Sequence, residues 1–224
     1  MTEILPAGEP SAPPVTVGSR VFLLSPARCD GRRAKILLNE RATFDLAVRL
    51  RTEGAPIGDV FSFLSGLYFR GKLAYARMFG QRPGNAPASF AITTDRGLVS
   101  VETPITRADL ERFADVDLAS GDERYRNPLR DSARRLDRDL GNAETVVLLG
   151  SIATGKYADV LIEIFGDRLL FPIDFVGRGD MSRGGLLLRR AREGQELTYV
   201  PVRGAIRRGK RPPKLDPRSR VRDL

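Results

Sequence analysis

Residues 146–157 read Val-Val-Leu-Leu-Gly-Ser-Ile-Ala-Thr-Gly-Lys-Tyr, an apolar run that passes through a G-x-x-x-x-G-K turn into a helical pattern. In such a turn the backbone N–H groups of Gly150, Ser151, Thr154 and Gly155 can converge on an anion. Lys156 supplies charge, and the helix N-terminus adds positive potential. A loop that hydrolyses nucleoside triphosphates carries Ser or Thr after the Lys, because a small hydroxyl must reach Mg²⁺. Here that position is Tyr157, whose place on an i, i+3, i+4 stripe with Val160 and Leu161 turns its ring inward. Downstream, Pro172 interrupts the strand that would carry Asp174 as a metal-holding acid. The segment therefore reads as a non-hydrolytic anion site or a structural turn, not as a standard ATPase loop.

A second glycine-rich turn, Gly177 to Gly185, occupies the equivalent place in the next unit and brings Arg178, Asp180 and Arg183. Arg178 and Arg183 extend the expected anion site. Asp180 is a candidate acid–base group or a helix cap. Gly184 and Gly185 inside a helix cost about 1 kcal/mol each against Ala, which implies close approach of a ligand or another backbone. Asp95 follows a strand and is the other catalytic candidate, or else a turn-forming residue. Between Phe61 and Leu73, aromatic rings alternate with Arg70 and Lys72, a composition that can stack on bases and pair with phosphates. The same aromatics also suit a core.

Composition removes several chemistries. The 224 residues contain no histidine and one cysteine, Cys29. Imidazole acid–base catalysis, His-based zinc sites and an internal disulfide are all excluded, and no metal site or organic cofactor is expected. The formal charge of +9 is concentrated at the end of the chain. Residues 207–224 hold Arg207, Arg208, Lys210, Arg211 and four further basic side chains against Asp216 and Asp223. Such a tail either contacts nucleic-acid phosphates or is simply solvated. No apolar run suits a membrane span, and the absence of a signal-like start makes a bacterial cytoplasmic location the expectation.

The elements that must position these groups follow from periodicity. Strands are expected at Arg20–Leu24, Phe90–Thr94, Glu144–Leu149, Arg168–Ile173 and Leu197–Val202, the last at an edge because of Pro201. Helices are expected near 40–51 and 66–79, from Asn127-Pro128 to Leu140, over Lys156–Phe165 and over 182–193. The second half thus reads βαβαβ. The fold class is α/β, a single three-layer domain over residues 18–205 with a mainly parallel sheet. A flexible leader (1–17) and a basic flexible tail (206–224) flank it.

Three segments resemble a known family when taken together. They are Leu24-Ser25-Pro26-Ala27-Arg28-Cys29, Leu67-Tyr68-Phe69-Arg70-Gly71, and Ala91 through Asp95-Arg96-Gly97-Leu98-Val99. The arrangement is similar to the YaaA-type peroxide-stress proteins and related domains associated with modified guanine in nucleic acids. Thr93-Thr94 stands where those proteins have Leu-Ser, Arg96 replaces their Tyr or His, and Pro104 comes later than their Pro. The resemblance spans residues 20–105 and implies an α/β fold with nucleic-acid association; it assigns no catalytic residue.

The expectation is a nucleotide- or nucleic-acid-associated α/β protein with a phosphate-binding loop. The alternatives are an enzyme acting on a nucleobase, nucleoside or phosphorylated small molecule, and a non-catalytic interaction module.

Overall fold

Val21 to Leu24 are fully buried, as an unbroken apolar run demands of a strand covered on both faces. This strand, β1 (Arg20–Leu24), is central in a computed structural model that describes residues 19–116, 122–141, 144–210 and 212–213. In chain order it is followed by α1 (Arg32–Leu37), α2 (Asp45–Thr52), β2 (Ala55–Pro56), α3 (Ile57–Ser65), α4 (Leu67–Phe79) and β3 (Ser89–Ile92). Next come β4 (Leu98–Ser100), β5 (Pro104–Ile105), α5 (Arg107–Asp115), α6 (Glu123–Asp139), β6 (Thr145–Leu149) and α7 (Ala158–Phe165). Finally β7 (Leu169–Pro172), α8 (Asp180–Glu193) and β8 (Tyr199–Pro201) close the domain.

The main sheet has the order β4-β3-β1-β6-β7-β8. β3, β1, β6 and β7 run parallel, while β4 and β8 are antiparallel edges. A separate ribbon pairs β2 with β5. The chain is a single α/β domain with a mainly parallel sheet. Its path leaves β1 toward β3 on one side, then returns to β6 on the other. This reversal makes the carboxyl ends of β1 and β6 a topological switch point, where loops diverge and leave a crevice.

Within the mainly parallel sheet, only the last strand of the βαβαβ pattern departs from it. α8 lies along α4, with Gly71 and Gly184 so close that a methyl on Gly71 would stand 2.6 Å from the Gly184 carbonyl oxygen. A Cβ on Gly184 would in turn stand 2.7 Å from the Leu67 carbonyl oxygen, so another backbone, not a ligand, explains this glycine. α8 runs beside α4 toward the amino end of β1, where Glu196 meets Arg20, yet the strand that follows is not parallel. Residues 195–198 return the chain beside the end of β7, where the Ile173 N–H meets the Thr198 carbonyl at 3.0 Å, and β8 pairs antiparallel. Pro201 does sit on an edge strand.

Asn127-Pro128 is not a helix start. α6 begins four residues earlier, because the Asp122 carboxylate accepts the Arg124 N–H at 2.9 Å and caps it. Pro128 is carried inside the helix, at the loss of one backbone bond. α1 begins at Arg32, and the helix expected at Lys156 begins at Ala158. No helix among the described residues is long and apolar enough to cross a membrane.

Candidate functional site

The glycine loop is closed by its own chain. The Tyr157 hydroxyl accepts the Ser151 N–H at 2.8 Å. Gly150 has no room for a side chain, since a Cβ there would stand 2.7 Å from that hydroxyl and 2.8 Å from Ser25 Cβ. Gly155 adopts φ +67°, and the carboxylate of Asp159, in the first turn of α7, folds against it. Arg207 then donates to Asp159 Oδ1 at 2.9 Å. A side chain of the protein thus answers the positive end of α7. The expectation that Gly150, Ser151, Thr154 and Gly155 present an open cradle is corrected: a phenol takes one amide and a carboxylate covers the bend. The space lined by Gly150, Ser151, Phe175 and Arg183 is only about 10 Å³, room for one water at most.

Lys156 behaves differently. It is exposed, has no ion-pair partner among the described residues, and lines a cleft of about 570 Å³. That volume lies within the range of small-molecule sites. Three loops at the carboxyl ends of parallel strands build it. Pro26 to Asp30 follow β1, Thr94 follows β3, and Lys156 follows β6, while Phe113 to Val116 at the end of α5 close the far wall. Arg28 and Asp30 pair across the rim at 2.6 Å, and the Arg28 hydrogen bonds hold the Asp30 carboxyl below its usual range. Asp115 lies at the α5 end, so the lining carries both signs.

Asp95 sits just behind this wall. Its Oδ2 is 3.4 Å from Arg112 Nε, while its Oδ1 is buried with no hydrogen-bond partner among the described residues. Cys29 is buried beside it, and its thiol is pushed up to about 12, first by burial and then by the charges of Asp30 and Asp95. The thiol is therefore inert at neutral pH.

The second glycine turn does not join the cleft. Arg178 donates to the Asp174 carbonyl at 3.0 Å, to Ser182 Oγ at 3.2 Å and to the Pro213 carbonyl at 3.4 Å. Arg183 donates twice to the Phe175 carbonyl and stacks on the Phe175 ring at 5.4 Å. Both guanidiniums are spent on structure, which corrects their placement in an anion site. Asp180 is exposed at the first residue of α8, makes no side-chain cap, and lies 3.6 Å from Arg183.

Lys72 is the largest departure. Expected as a phosphate contact, it is fully buried. Its Nζ donates to the Ser25 carbonyl at 2.6 Å and meets Ser25 Oγ at 2.8 Å, over the rings of Tyr68 (4.4 Å) and Phe69 (4.6 Å). Burial pushes the ammonium down to about 7; Asp180 opposes this and Arg183 reinforces it. Tyr157 continues the chain of polar groups, because its hydroxyl also interacts with the Ser25 side chain. A lysine on the inward face of α4, between Gly71 and Leu73, was the sequence signal for this cluster.

Of the remaining basic candidates, Arg70 and Arg208 are exposed, Lys210 is exposed beside Gly177, and Arg211 lies outside the described residues. No known protein family, curated protein or solved structure matches the chain.

Proposed function

We propose that this protein binds a phosphorylated small molecule of the nucleotide class in the cleft at the carboxyl ends of β1, β3 and β6. The observation that carries this reading is Lys156: a cation with no ion-pair partner among the described residues, at a switch-point cleft of about 570 Å³ where open α/β sheets gather ligands. Lys156 holds the anionic group. Asp30 and Asp115 accept hydrogen bonds from sugar hydroxyls or a base edge. The glycine loop acts as the rigid support of Lys156, and its amides do not hold the phosphate.

A thermal-shift screen with mononucleotides, nucleosides and sugar phosphates tests this. A ligand at 100 times its Kd raises the melting temperature by roughly 5 °C or more, and Lys156→Ala removes most of that rise. If no anionic compound shifts the wild-type transition, the reading fails.

An enzymatic reading is favoured by one observation, the buried, unpartnered Oδ1 of Asp95 behind the cleft wall. In this reading Asp95, next to the cleft-lining Thr94, is the proton acceptor for a bound nucleoside or sugar phosphate. Asp95→Asn then abolishes turnover of the compound that the screen identifies while leaving its binding intact.

A further inference from the structure

We propose that Lys72 is a proton-linked positioning residue for the cleft: capture of a dianion beside Lys156 is coupled to protonation of the Lys72 amine beneath Ser25. The inference rests on the cleft reading above. The geometry that carries it is the double contact of Nζ with Ser25, whose carbonyl and hydroxyl both lie within 2.8 Å. Ser25 is the first residue after β1, and the five residues that follow form one wall of the cleft. On its other side the Ser25 side chain meets the Tyr157 hydroxyl, which holds the Ser151 amide. One buried nitrogen therefore underlies both loops that flank the switch point.

The groups facing this nitrogen are Tyr68 on its own helix, Asp180 and Arg183 from α8, and Ser25 and Tyr157 from the two loops. None of them forms an ion pair with it. The Ser25 oxygens and the Tyr68 and Phe69 rings solvate the ammonium, but no carboxylate among the described residues pairs with it, and a dianion arriving beside the Pro26–Asp30 wall favours the ammonium form. By reciprocity, the ammonium form favours the dianion by the same factor. The direction of proton movement in the hydroxyl chain follows. With Lys72 charged, Nζ donates to Ser25 Oγ, which donates onward to Tyr157. With Lys72 neutral, the Ser25 hydroxyl donates to Nζ. The chain contains no histidine, so between pH 6 and 8.5 no imidazole titrates beside this amine.

Inorganic sulfate, whose charge is constant over this range, is the probe, compared with chloride at equal ionic strength. For the wild type, sulfate affinity measured by thermal shift should weaken about fivefold or more from pH 6 to 8.5. In Lys72→Met it should be independent of pH. Sulfate added to weakly buffered wild type at pH 7 should take up protons. Carbon-13 titration of the five lysines in the wild type needs no variant, and one resonance should titrate near neutrality and move upward with sulfate. Equal sulfate affinity at both pH values in the wild type, the same pH dependence in the methionine variant, or five lysines titrating near 10 each overturns the inference. Absence of any sulfate effect at pH 6 overturns the cleft reading itself, a result distinct from a pH-independent one.

Discussion

The Tyr157 hydroxyl sits 2.8 Å from the Ser151 amide, at the place where a phosphate-binding loop would hold its ligand. A residue type that looks like a failed magnesium ligand in the sequence is instead the group that fills the loop. Replacing it with Phe removes the acceptor for the Ser151 N–H and a partner of Ser25. Tyr157→Phe should cost about 1–3 kcal/mol of stability, the penalty for unsatisfied buried polar groups, measured by urea unfolding. An unchanged midpoint contradicts the closed-loop description.

Lys72 gives stability a signed pH dependence. Its folded-state value is lowered to about 7, while the unfolded chain keeps the ordinary value of 10.5. Between these values the unfolded state binds the extra proton, so stability rises with pH. Relative to Lys72→Met, the wild type should gain stability from pH 7 to 10 with a slope of about 1.4 kcal/mol per pH unit at most. Two parallel stability profiles contradict the burial of an ionisable amine.

The contact between α4 and α8 depends on two glycines. Gly71→Ala would place a methyl against the Gly184 carbonyl oxygen, 2.6 Å away, where neither helix can yield without moving the other. A loss of about 2–3 kcal/mol is expected from thermal or urea unfolding, as for an overpacked core. Little or no loss means the helices are farther apart than described.

Cys29 should be slow to react although it lines a cleft. With burial as the first cause, its thiol is pushed up to about 12, so almost no thiolate exists at pH 8. Native alkylation should run about 100-fold or more below the rate in urea. Equal rates contradict its placement.

Much of the fold was legible because its strands are short apolar runs between turn residues. Val21–Leu24 and Val146–Leu149 declare a sheet buried on both faces, and Pro201 declares an edge. The direction of β8 was not legible, since it is fixed after α8, where residues 195–198 turn the chain back so that Thr198 and Tyr199 pair with Ile173 and Pro172. α5 was not among the expected helices, although Thr106 and Asp109 form a capping box at its start. The start of α6 was hidden by a stronger signal, Asn127-Pro128, inside the helix. At the site, Lys156 lies beside an open space, bounded by the loops after β1 and β3 and not by the expected glycine cradle. The burial of Lys72 was not legible, because composition shows that a lysine alternates with aromatics but not which face of the helix it occupies. The free donors of Arg178 and Arg183 were lost to backbone carbonyls, which sequence spacing does not display.

A calorimetric titration of ADP into the wild type and into Lys156→Ala tests the cleft most directly. Single-site binding to the wild type, weakened about tenfold or more (roughly 1.4 kcal/mol) in the variant at unchanged stability, is the expected result. Equal affinity for both proteins, or no heat with either, contradicts the assignment of Lys156 as the anion-holding residue.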